Sequence, residues 1–194
     1  MVRPSRRRGF RHLCQAWRAD RGSVVVEAAI ILPLMVCMCT GVIQFGFRLQ
    51  QGLVVSNATR QAARVGAQQG ANVDADEKIV AALREASGPL ADKIVAIVVY
   101  KADPDGAMTI DCRAMVEQVG FDGDIDACNI YRAETGFSLE ERLWKPETRS
   151  TDLEATRSDL GVWVQVGFSS PLGGLFGLGD TIVDHAVFRI EPKV

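Results

Sequence analysis

A chain of 194 residues is long enough for one ordinary domain plus an anchor and does not require two independent cores. Its formal net charge of −2 hides an asymmetry: residues 1–22 carry seven arginines against the single acid Asp20, whereas residues 48–194 carry 15 basic and 22 acidic side chains. An acidic C-terminal part argues against nucleic-acid binding by counterion release, so no nucleic-acid partner is expected.

The first predicted element is an apolar helix. Glu27 is the only charged residue between positions 24 and 47, a run of 24 residues. At about 1.5 Å per residue the run spans about 36 Å, more than the roughly 30 Å hydrocarbon core of a bilayer. Arginines crowd before it and basic residues thin out after it, which places the N-terminus in the cytoplasm and residues 48–194 across the membrane. A core helix of a soluble protein is usually shorter and lacks such an arginine block. A cleaved secretory signal peptide has an apolar region of only about 7 to 15 residues and a small-residue cleavage site, which Cys37 and Cys39 offer weakly.

Glu27 sits just inside the apolar run, where a carboxylate costs several kcal/mol unless it is paired. A cut after Gly22 would create an amino group on Ser23 that supplies the cation, in the same chain or in a neighbour. In an uncut chain Arg21 is the nearest candidate. Pro33 frees the carbonyl of Ala29 and predicts a bend or local loosening that membrane helices tolerate. Gly41 and Gly46 thin the helix wall where a neighbouring helix could approach.

A basic peptide ending in Gly22, followed by an apolar helix with Glu27 at its fifth position, resembles the type IV prepilin leader. The run Gly22-Ser23-Val24-Val25-Val26-Glu27-Ala28-Ala29-Ile30-Ile31-Leu32-Pro33-Leu34, with Gly41, Phe45-Gly46-Phe47 and the stretch from Asn57 to Ala67, resembles more narrowly the TadE-like family. These are minor pilins, or pseudopilins, of the tight-adherence (Tad, or Flp) pilus system. Gly161-Val162-Trp163-Val164-Gln165-Val166 and residues 186–192 look like that family's closing strands. Ala28 stands where the system's major pilins usually carry Tyr, which points to a minor component.

The resemblance implies a structural protein, not an enzyme, that needs no cofactor. A prepilin peptidase would cut between Gly22 and Ser23, Glu27 would serve recognition or register, and Pro33 would shape the helix. Its partners would be other pilin and pseudopilin subunits, met through the N-terminal helix, and the inner-membrane assembly platform. The implied layout is a basic cytoplasmic leader (residues 1–22), a transmembrane helix (23–47) and an exported pilin-like α+β domain (48–194), periplasmic or extracellular. The alternative is a permanently anchored envelope protein with a ligand- or partner-binding domain, in which Gly22 merely starts the helix and Glu27 lies at the headgroups.

Beyond Phe47 the helix is expected to continue to about Gln68, with Val54, Ala58, Ala62 and Val65 on the face that meets the domain. Asn72 or Asp74 can cap a second helix running to about Ser87, with Ile79, Ala82, Leu83 and Ala86 inward and Gly88-Pro89 as its stop. Residues 94–100 read as a strand, 103–106 as a turn and 108–112 as the returning arm of a hairpin. Residues 162–168 and 181–190 supply two more strands. A small antiparallel sheet packed on a long spine helix accounts for them. Residues 120–158 read as polar and irregular, with a short helix near 138–143, and residues 171–179 as a glycine-rich loop.

Cys14 falls in the leader and Cys37 and Cys39 in the membrane helix. This leaves Cys112 and Cys128 as the pair available for a disulfide in an exported domain, or as two thiols. Closing a loop of about 15 residues contributes on the order of 3 kcal/mol in the chain-entropy model. Catalytic constellations are sparse. Of the two histidines, His12 lies in the leader, and His185 has Asp184 beside it on a strand, where neighbours point to opposite faces. Asp122-Gly123-Asp124-Ile125-Asp126 lacks the glycine and distant Glu of a calcium loop in register, so no metal is expected. Gly173-Gly174 and the glycines after it precede no phosphate-binding helix. Asn57-Ala58-Thr59 matches a glycosylation acceptor only inside a helix.

Overall fold

A computed structural model describes residues 10–117, 127–137, 143–151, 158–168 and 181–191, with the backbone alone for 10–21, 111 and 115–117. The chain divides into two units, Met1–Gly46 and Phe47–Val194. Helix α1 (Phe10–Gln69) contributes to both and passes through Pro33 without interruption. It ends where Gly70 turns to φ +56° and donates its N–H to the Gly66 carbonyl at 3.1 Å, the left-handed stop that glycine adopts without a Cβ penalty.

In the second unit α1 buries Val55, Ala58, Thr59, Ala62, Ala63 and Ala67. The expected stripe is rotated slightly: Ala58 and Ala62 are central, while Val54 and Val65 are half-buried flanks. Small side chains win the centre because the neighbours come very close. A Cβ placed on Gly66 would lie 2.7 Å from Ile79 Cδ1, so the next helix presses directly on the α1 backbone. Buried Thr59 donates its hydroxyl to the Val55 carbonyl at 2.8 Å and thereby spends its polar atom within the helix.

Helix α2 (Ala75–Ser87) follows Asp74, whose side chain makes no capping hydrogen bond. Ile79 and Leu83 are fully buried, and Ala82 and Ala86 half-buried. Gly88, at φ +51°, ends the helix and opens a 3-10 turn (Gly88–Lys93) that buries Leu90 and leads into strand β1 (Ile94–Lys101).

The sheet has the order β2-β1-β3-β4, with β2 (Cys128–Arg132), β3 (Asp159–Gly167) and β4 (Thr181–Arg189). All three pairings are antiparallel. One face sends Ile97, Val99, Leu160, Val162, Val164, Ile182 and Ala186 into the core shared with α1 and α2. The opposite face carries Val98, Tyr100 and Trp163, covered in part by helix α3 (Ile110–Glu117). The architecture is α+β, a long apolar helix whose C-terminal stretch packs on a small antiparallel sheet.

One expectation fails. Met108 to Cys112 is not the second arm of a hairpin: Asp103 to Gly106 does turn the chain, but residues 107–109 lead into α3. Strand β1 has β2 on one side and β3 on the other, leaving no vacant edge for 108–112. The strand that takes the place, β2, lies in the stretch read as polar and irregular. Its five residues include the inward-facing polar Asn129, so no apolar alternation announces it. Residues 122–126, 138–142 and 171–179, which held the acidic string, most of the expected short helix and the glycine-rich loop, lie outside the described residues.

Candidate functional site

The residues singled out at the N-terminus lie on one uninterrupted helix. Because α1 begins at Phe10, the peptide bond between Gly22 and Ser23 falls inside regular helix, and a Cβ on Gly22 would meet nothing within 4 Å. Every residue from 22 to 39 is exposed, Glu27 and Pro33 among them. So are the large apolar side chains on all sides, with Ile30 at 70% and Leu34 at 64%. A helix that is apolar around its circumference requires an apolar surrounding, as a bilayer or a bundle of like helices supplies. Length and composition suit a single-pass membrane anchor. Cys37 and Cys39 are exposed thiols on this stretch.

On the helix-covered face of the second unit, a buried polar network joins segments far apart in the chain. Asp76, on the first turn of α2, accepts at Oδ1 from Arg149 Nη2 (2.5 Å) and at Oδ2 from Asn129 Nδ2 (2.6 Å) and the Tyr131 hydroxyl (2.9 Å). Both members of the ion pair are wholly buried. Asn129 completes its amide by accepting from Trp144 N at 2.8 Å and donating to Trp144 O at 2.7 Å. The Arg149 guanidinium lies 4.3 Å from the Trp144 ring centroid, a cation–π contact. The network ties residues 144–149 to α2 and β2, and so holds an otherwise irregular segment in place. Sequence reasoning missed it. Asp76 and Arg149 stand 73 positions apart, and no local pattern marks a polar residue that will be buried.

The opposite face holds the disulfide. Cys112 on α3 and Cys128 at the start of β2 are bonded, with Cα atoms 6.1 Å apart, beside the buried Val98 and Tyr100. Burial pushes the Tyr100 hydroxyl up to about 12. Tyr100 stands directly opposite Gly161 in the β1–β3 register, and a Cβ on Gly161 would lie 2.2 Å from the ring. The tyrosine therefore lies flat across β3 in the space that this glycine leaves.

Beside Tyr100 the outer face opens into a cavity of about 750 Å³. Trp163 and Gln165 of β3 and His185 of β4 form its floor, with Trp163 and His185 directly paired across the strands. Met108 and Arg113 contribute walls. Of the residues weighed for catalysis, His185 thus reaches a cleft. Asp184 does not join it, because it alternates to the face of β4 that carries Ile182 and Ala186. The described lining has polar and cationic groups but no carboxylate.

Residues 22–64 match the family model of the TadE-like protein. The match begins at Gly22, takes in Ser23, Glu27 and Pro33, and ends within the part of α1 that packs on the sheet. No curated protein and no solved structure matches the chain.

Proposed function

We propose that the chain is a minor pilin, or pseudopilin, of a tight-adherence pilus. Association with that pilus system is what a TadE-like N-terminal segment supports most directly, and the observation that carries the finer reading is where the match lies. It starts at Gly22 and covers the apolar helix whose circumference is exposed.

In this reading the chain inserts with its arginine block in the cytoplasm and its sheet unit on the far side. A prepilin peptidase then cuts between Gly22 and Ser23. Because that bond lies in helix, the peptidase must first unwind a turn. Gly22 assists, since glycine in a helix interior costs about 1 kcal/mol relative to alanine and leaves the backbone open to approach. The new amino group on Ser23 gives the Glu27 carboxylate a cation in its own chain or in a neighbour, a pairing worth far more in an apolar surrounding than in water. The helix then exchanges lipid for other pilin and pseudopilin helices, at or near the inner-membrane assembly platform. The sheet unit with its disulfide is the exported part.

The N-terminal sequence of the protein recovered from membranes tests this, with and without a prepilin peptidase and beside a Gly22→Ala variant. The expected mature chain begins at Ser23 and depends on both the enzyme and the glycine. An intact leader in wild-type cells would overturn the reading in favour of a permanently anchored envelope protein.

A further inference from the structure

From the cavity on the outer face of the sheet we infer that the exported unit binds a carboxylate-bearing sugar, of the uronic-acid type, against Trp163. This goes beyond the pilin reading and does not depend on it.

The floor of the cavity is the face of the sheet, not an edge. Trp163 and Gln165 belong to β3, which is hydrogen-bonded to β1 on one side and β4 on the other. Main-chain groups there are already used, so an extended peptide cannot add itself as a strand and recognition must come from side chains. The side chains have two characters. Trp163 offers a broad flat indole, half-exposed and flanked on the same face of the sheet by the Tyr100 cluster it packs against. A rigid aromatic face of this kind receives the C–H face of a pyranose ring and desolvates it. Around it stand planar polar groups at neighbouring register positions: the Gln165 amide, two residues along β3, and the His185 imidazole, directly across from Trp163. Together they supply donors and acceptors beside the indole, as ring hydroxyls require.

Charge selects the acid. The residues from 48 onward carry 22 acidic side chains against 15 basic ones, yet the described lining has no carboxylate and does hold Arg113. A guanidinium at the wall pairs with a carboxylate through a fork of parallel hydrogen bonds. Arg113 immediately follows Cys112, so the disulfide to β2 fixes the helix that carries the cation over the Trp163 floor. The backbone that carries the cation is set before the ligand arrives, and the exposed guanidinium itself is ordered by the carboxylate. A volume of about 750 Å³ lies in the range of small-molecule sites and admits one or two sugar rings.

The test is a calorimetric titration, which needs no tryptophan reporter, of the full-length protein in detergent micelles, using glucuronate, glucose as its neutral counterpart, and cyclohexanecarboxylate as a carboxylate without the hydroxyls. Glucuronate should give a saturable response, about tenfold tighter than glucose, the size of one charge-assisted pair. Cyclohexanecarboxylate should be weaker than glucuronate by a similar factor. Arg113→Gln should bring glucuronate down to the glucose level, and Trp163→Ala should abolish both. Should Trp163→Ala fail to fold, Gln165→Leu, which keeps the volume, should weaken both sugars while leaving cyclohexanecarboxylate unchanged. No saturable response to glucuronate overturns the inference. So does equal affinity for glucuronate and glucose, or for glucuronate and cyclohexanecarboxylate. Leader processing is not read by any arm, so failure here leaves the pilin reading standing, and failure of processing leaves the site standing.

Discussion

Residues 22–46 and 55–69 belong to one helix, yet their apolar side chains meet opposite fates. The first carries large residues, such as Ile30 and Leu34, exposed on every side. The second carries small ones, Ala58, Ala62, Ala63 and Gly66, that are buried against α2 and the sheet. Hydropathy alone does not separate them. What separates them is whether the chain supplies its own cover. Small residues let Ile79 and Leu160 come onto the helix backbone, so the second stretch finishes its burial within the unit. Large residues all round leave the first stretch dependent on lipid or on other helices. The two stretches should therefore respond differently to the same kind of substitution.

The sharpest way to break the contrast is through the buried ion pair. Asp76→Ala removes the acceptor shared by Arg149, Asn129 and Tyr131 and leaves a guanidinium uncompensated in the core. A cost of about 3 to 5 kcal/mol to the sheet unit is expected, read by urea unfolding followed through tryptophan fluorescence. A loss below about 1 kcal/mol would mean that the network contributes nothing the rest of the core does not. Next in size is the disulfide. Cys112 and Cys128 are 16 residues apart, and replacing both with Ser should cost about 3 kcal/mol in the chain-entropy model. Dithiothreitol applied to wild type should reproduce that loss and leave the double variant unaffected.

Much of the fold was legible in the sequence because its signals are local. The apolar run with one acid, the periodic face of α2 and its Gly88 stop, and the β-branched strands at 94–100 and 162–168 each declare themselves within a few residues. The face of α1 was readable to within a slight rotation, since steps of three and four fix a stripe but not which flank the neighbours press hardest. What could not be read depends on partners remote in the chain. Strand β2 exists because β1 needs a second neighbour and Asp76 needs Asn129 and Tyr131, and nothing in Cys-Asn-Ile-Tyr-Arg says so by itself. The hairpin at 108–112 was a sound local reading that lost to this distant competitor. The cavity was hidden for the same reason: Trp163 and Gln165 were read only as strand alternation, and Arg113 arrives from a helix that the hairpin reading left no room for.

Gly161 sharpens the comparison further, because it shows a small residue required on the sheet as Gly66 is on the helix. Gly161→Ala drives a methyl group into the Tyr100 ring, and overpacking of this kind costs about 1 to 3 kcal/mol. Tyr100 also reports the event. In the wild type its hydroxyl titrates near 12, raised from 10 by burial. A raised value means that the folded form holds its proton when the unfolded form has released it. The contribution to stability is therefore complete below about pH 10 and lost as the pH rises towards 12. In Gly161→Ala a displaced ring should titrate closer to 10, visible as phenolate absorbance appearing at lower pH. An unchanged titration would place the accommodation elsewhere and contradict a rigid contact between ring and strand.

The smallest expected effect lies in the first stretch, where its absence is informative. Leu34 is 64% exposed, so Leu34→Ala should leave the unfolding free energy of the sheet unit unchanged within about 0.5 kcal/mol. Ala62, about eight turns further along the same helix, is fully buried, and Ala62→Leu forces a large side chain into a packed contact at a cost of about 1 to 3 kcal/mol. The two substitutions run in opposite directions of size, and only the second touches the core. Leu34→Lys removes the ambiguity about what the first stretch is for. A lysine there costs about 2.5 to 3.5 kcal/mol of membrane insertion at the helix centre and, again, nothing in the unfolding of the sheet unit. Loss of the protein from the carbonate-washed membrane fraction, with an unshifted urea curve for the protein that remains, is the expected pair of results. A shifted curve would show that the apolar stretch and the sheet unit stabilise one another, and the contrast drawn between them would fail.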